Sequence, residues 1–206
     1  MPEDETMDAG AAAALMQETD ERTRGALRIR LPQLYAAWGV AWLVGLGAMW
    51  LSVHGQQPYR GPSAATAVLL GLLILAAIAV TMLVVVRATK GVGGISAVQG
   101  QIYGLSWPIG FAALFAIEGA LSHYGASGKV LGVLGAAGPV FVTGLIYVVA
   151  SAMWLDWSMF ALGAWLALVA AVGAWTGPVT VLLVEALAGG GGFLLMSAWL
   201  ARRNRV

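Results

Sequence analysis

Apolar residues in this chain fall into six long runs parted by short polar breaks, a pattern that predicts membrane-spanning helices at about 33–53, 65–86, 101–122, 130–153, 157–175 and 178–200. Each run is ~20 residues, long enough to cross ~30 Å of hydrocarbon. Barrel strands would alternate apolar and polar positions, whereas Val68 to Val86 is interrupted only by Gly71 and Thr81. The predicted fold class is therefore all-α, a polytopic bundle of six transmembrane helices. The least marked break is Trp154-Leu155-Asp156-Trp157, where one acid between two tryptophans fits an interfacial turn.

Composition sharpens this picture. The chain is 60% apolar and 10% charged, and 28 of its 206 residues are glycine. Its net charge of +1 gives no footprint for nucleic acid. The expected surroundings are a lipid bilayer. Cysteine is absent, which removes disulfides, thiolate metal sites and a cysteine nucleophile. The spans carry no His-Glu zinc motif, Gly-x-Ser-x-Gly elbow or aspartate dyad, so no enzyme activity, cofactor or metal is predicted. His54 and His123 both end spans on one side and fit no ligand spacing. A start of Met-Pro-Glu-Asp-Glu, without a basic n-region, argues against a cleaved signal peptide.

Charge also orients the bundle. Alternate non-spanning segments hold nine Lys and Arg against two, which places both termini in the cytoplasm and requires an even number of crossings. Residues 1–31 read as a cytoplasmic segment with a charged or amphipathic helix, capped by Asp8, and 32–201 as the transmembrane domain. Residues 202–206 form a basic tail. The N-terminal segment anchors topology through its arginines or docks a cytosolic partner; a homo-oligomer is the other partnership considered. Arg87 to Gly100 reads as a glycine-rich connection that lacks the ending of a phosphate loop.

Chemistry concentrates on two acids. After Glu21 only Glu118, Asp156 and Glu185 remain, and the two glutamates fall within spans. A charge at mid-bilayer costs ~3 kcal/mol on insertion scales, so each must be neutral, paired or facing a wet interior. Glu118 lies ~6 Å and Glu185 ~12 Å from the same membrane surface. Trp107, Phe111, Leu114 and Phe115 share the Glu118 face of span 3, an aromatic stripe suited to an apolar or cationic ligand. Thr143 and Tyr147 form a polar stripe on span 4 at a depth that reaches Glu185. These four, Glu118, Glu185, Thr143 and Tyr147, are expected to share an outward-facing polar cavity. Pro108 and Pro139 mark hinges in spans 3 and 4. The run Gly189, Gly190, Gly191, Gly192 costs ~1 kcal/mol per residue against alanine, which implies close helix packing or local unwinding beside Glu185.

Leu34-Tyr35-Ala36-Ala37-Trp38-Gly39, Gln101-Ile102-Tyr103-Gly104, Gly144-Leu145-Ile146-Tyr147 and Ala188 to Phe193 together resemble small six-span bacterial inner-membrane proteins, grouped loosely as integral membrane proteins or transporters. The resemblance implies a bacterial plasma membrane and a lean toward transport, and transfers no site residues. The expected function is a small transporter or permease-like subunit in which Glu185, helped by Glu118, binds a proton or cationic solute. Alternatives are a substrate-capturing subunit resembling the S components of energy-coupling-factor importers, or an assembly, sensory or immunity-type membrane protein.

Overall fold

The computed structural model describes residues 9–88 and 95–204. All regular structure in it is helical: α1 (Ala9–Val53), α2 (Ala64–Ala88), α3 (Ile95–His123), α4 (Gly128–Trp154), α5 (Trp157–Ala174), α6 (Gly177–Val184) and α7 (Gly191–Arg203), with a π-helical segment, Glu185–Gly190, joining the last two. Six stretches are long and apolar enough to cross a membrane, the sixth being the α6–π–α7 rod from Gly177 to Arg203. The protein is a multi-pass membrane protein.

The rod is the centre of the bundle. It packs against α1 on one side and against α4 and α5 on the other, while α2 touches only α1 and α3 touches only α4 among the described residues. These outer helices are wings, and α2 presents Val68, Leu72, Leu75 and Val86 outward as a lipid-facing surface requires. Lipid supplies no hydrophobic drive between helices, so small residues must bring backbones together. Two crossings do this. A Cβ on Gly190 would lie 2.8 Å from Leu43 N and 3.0 Å from Gly39 O, so the rod and α1 meet through their main chains. A Cβ on Gly144 would lie 2.7 Å from Ala167 N and 2.8 Å from Gly163 O, which fixes α4 against α5 in the same way. Trp38 Nε1 adds a hydrogen bond to Thr81 Oγ1 at 3.1 Å, tying α2 to α1.

The first apolar span runs from Leu31 to Val53, close to the predicted 33–53. α1 continues through Pro32 from Ala9 without a break, so residues 9–31 and the first span form one rod. Proline is tolerated here because it stands at the first turn of the apolar stretch, where the carbonyl it frees is near the polar interface. Ser197 Oγ holds the step from α7 by donating to Pro32 O at 2.6 Å. The predicted cap, Asp8, lies outside the described residues. The connection from Arg87 to Gly100 is shorter than expected, since Ile95-Ser96-Ala97-Val98-Gln99 already belongs to α3; residues 89–94 lie outside the described residues. At the Asp156 turn the reading holds. Leu155 adopts φ 52°, and Asp156 caps α5 by accepting from Ser158 N and Met159 N.

Candidate functional site

Glu185 opens the π-helical segment and is completely buried. Neither carboxyl oxygen has a hydrogen-bond partner. The group points toward α5, where it lies beside Gly173: a Cβ there would stand 3.8 Å from Glu185 Oε1, an ordinary contact. Above and below it, Val181, Leu182 and Ala186 are buried and apolar. An isolated carboxylate in these surroundings would be costly, so a carboxyl group this enclosed and without a protein partner is the candidate site.

The glycine run explains how the helix accommodates this. It neither unwinds nor stays regular; it widens into six residues of π-helix. Such a segment shifts the hydrogen-bond register and leaves a carbonyl for another donor, a feature frequent at functional sites. Within this segment Trp165 Nε1 on α5 donates to Ala188 O at 2.8 Å. Three of the four glycines have distinct uses: Gly189 lies under the Trp42 ring, Gly190 meets the α1 backbone, and Gly192 lies under Trp165. Around Gly191 there is open space.

The expected polar quartet does not assemble. Glu118 is half-buried on the α3 wing, its Oε1 lying 3.0 Å from where a Cβ on Gly135 of α4 would stand, and α3 makes no contact with the rod. Distance along the helices placed both acids in the same half of the membrane, but α3, which carries Glu118, touches only α4 among the described residues. Thr143 turns its hydroxyl onto its own helix, donating to Pro139 O at 2.8 Å, as a hydroxyl in an apolar span does when no partner faces it. The outward-facing polar cavity is likewise absent from the two surface grooves. One, of about 440 Å³ and lined by Leu121, Val133, Leu134, Ala174 and Pro178 among others, is apolar; the second, of about 340 Å³ between α1 and α2, is lined by Ala37, Ala41, Ala77, Val80 and similar residues. Neither includes Glu118 or Glu185. Pro108 and Pro139 both lie within uninterrupted helices.

Tyr147 and Trp107 belong instead to a second feature. The Tyr147 ring centroid lies 5.7 Å from Trp107, 6.3 Å from Tyr35 and 6.0 Å from Phe193. Trp107 continues to Tyr103 at 5.8 Å, and Tyr103 to Trp154 at 5.0 Å. On the other side Phe193 meets Trp42 at 5.1 Å. This row fills the half of the bundle nearer both termini and joins α1, α3, α4 and α7 where α1 and α4 make no close backbone approach. Sequence reasoning missed Tyr35, Trp42 and Phe193. The signal was there: Tyr35, Gly39 and Trp42 share one face of α1, and Phe193 follows Glu185 by two turns on the rod.

His54 meets the Trp50 ring at a tilt and His123 meets Tyr124 edge-on, each histidine exposed at a helix end. No protein-family model, curated protein or solved structure matches this chain.

Proposed function

We propose that this protein is a small transporter of a bacterial inner membrane, with both termini in the cytoplasm, in which Glu185 takes up and releases a proton or a cation as the bundle opens. One observation carries the reading: a fully buried carboxyl group with both oxygens unpartnered, at the first residue of a π-helical segment. A residue retained only for structure would be better apolar, because an unmade hydrogen bond in the interior is a standing cost. The present arrangement is then the occluded, proton-loaded state. Exchange requires the rod to move against α5, and the π segment is where the rod is least regular.

The test needs no knowledge of the cargo. Protein reconstituted on a supported membrane is subjected to a pH jump, and the transient current is recorded. Wild type should give a current that Glu185→Gln abolishes and Glu185→Asp retains in part. An undiminished current in Glu185→Gln, or no current in wild type, would overturn the reading. A second reading, a non-transport assembly or sensory protein, draws on the α1 rod, whose residues 9–30 extend ~33 Å beyond the apolar span. In that case deleting residues 9–24 abolishes function and Glu185→Gln is tolerated.

A further inference from the structure

We infer that the aromatic row is a recognition track for a lipophilic organic cation, a solute carrying one delocalised positive charge on aromatic or alkyl bulk, with Glu185 as its final counter-charge. The inference rests on the reading of Glu185 as the exchanging group and adds the substrate class. The rings form a graded path. Trp154 is 42% exposed, Tyr103 and Trp107 are half-buried, and Tyr147, Tyr35 and Phe193 are buried at 7%, 5% and 1%. A solute can meet the outermost rings without any rearrangement and the inner ones only by displacing side chains. Phe193 is the plug. It touches Tyr35, Tyr147 and Trp42 together, and because α1 and α4 are bridged here by rings, not backbone, its rotation would open a passage without breaking a helix crossing.

The chemistry of the path selects for positive charge. Its two ends are acidic: Asp156 follows Trp154 by two residues at the turn, and Glu185 lies two turns beyond Phe193 on the rod. Between them, electron-rich ring faces attract cations. Between Leu31 and Leu200 the Lys and Arg among the described residues are Arg60, Arg87 and Lys129, all at helix ends or in connections, so none of them stands inside the bundle to neutralise an anion. The serine and threonine hydroxyls near the row are turned back onto their own helices, which leaves ring faces and tyrosine hydroxyls to line the path. Thr143 donates to Pro139 O, Ser151 to Val148 O and Ser106 to Tyr103 O. From Phe193 inward, Gly189 leaves a Cβ-free step beneath Trp42, one turn before Glu185.

The probes are tetraphenylphosphonium and tetraphenylborate, of nearly the same shape and opposite charge. Equilibrium dialysis with protein in lipid nanodiscs, each ion in its own experiment, should show saturable binding of phosphonium and none of borate. Trp107→Leu and Tyr147→Leu stay apolar but remove the ring, and in each the folded protein should bind phosphonium tenfold or more weakly. Trp107, on the α3 wing, keeps the test open if Tyr147→Leu fails to fold. Glu185→Gln should weaken binding to a similar degree. Equal binding of both ions, no saturable phosphonium binding, or unchanged affinity in a folded Trp107→Leu would overturn the inference. If wild type gives the Glu185-dependent pH-jump current yet does not bind phosphonium, the cation track fails and the exchanging glutamate stands.

Discussion

Glu185 sets function against stability. Its carboxyl group is enclosed by α5 and by apolar neighbours on its own rod, with no donor for either oxygen. An unsatisfied buried polar group of this kind costs about 1–3 kcal/mol, and replacing it with an apolar residue of similar size removes that cost. Glu185→Leu should therefore raise the thermal midpoint of the detergent-solubilised protein by an amount equivalent to about 1–3 kcal/mol, while eliminating the pH-jump current. A lower midpoint would mean that the carboxyl group has a stabilising partner in the native protein. At this scale the sequence was half informative. It marked Glu185 as the deeper acid facing the bundle, because the residues a turn away on its face are small or apolar and the cost of charge in hydrocarbon depends on local composition alone. It paired Glu185 with Thr143 and Tyr147 by their depth on α4, but in the structure one spends its group on its own helix and the other packs its ring on the aromatic row. Depth is a one-helix property, and facing is a many-helix property.

The rod made of α6, the π segment and α7 gives its glycines unequal jobs, and neighbouring positions should respond with opposite sign. At Gly190 an added Cβ would press on main-chain atoms of α1, Leu43 N and Gly39 O, which cannot move aside as a side-chain end can. Gly190→Ala should destabilise the protein by about 1–3 kcal/mol, the usual cost of overpacking. One residue on, Gly191 has nothing within 4 Å of its Cβ position. There alanine only restricts the unfolded chain and favours the helix, so Gly191→Ala should stabilise by about 1 kcal/mol. Thermal unfolding of the two variants side by side checks this, and shifts of the same sign would contradict the packing described. From the sequence the run offered close packing or unwinding as alternatives. Close packing is what occurs at Gly190, while the departure from a regular helix takes the form of a π turn that keeps its hydrogen bonds and lends Ala188 O to Trp165. That outcome was illegible because it depends on which indole from α5 reaches the loosened turn.

The bundle as a whole divides into a central rod, the α1 and α4–α5 layers against it, and two lipid-facing wings, and its handedness in the membrane follows from charge. Six crossings put Ile95 and Asn204 on one side and Gln57 and Tyr124 on the other. The excess of Lys and Arg on the terminal side should hold that side in the cytoplasm, because those residues resist translocation. Helix number and limits were the most legible features of the sequence, since continuous apolar length depends on nothing outside the segment; the outer place of α2 was also readable, as the most apolar span, whereas that of α3 was not, because it is the least apolar of the six and only contact reveals its position. The natural chain contains no cysteine, so single cysteines can be placed without removing any. In intact cells a membrane-impermeant maleimide should label Gln57→Cys and Tyr124→Cys, and should reach Ile95→Cys and Asn204→Cys only after permeabilisation. Labelling of Ile95→Cys and Asn204→Cys on different sides would break the six-span count, whereas a full reversal would keep the count and refute the charge rule here. The second result would also turn the aromatic row toward the outside, making it a capture surface for external cations and leaving Glu185 nearer the cytoplasmic face.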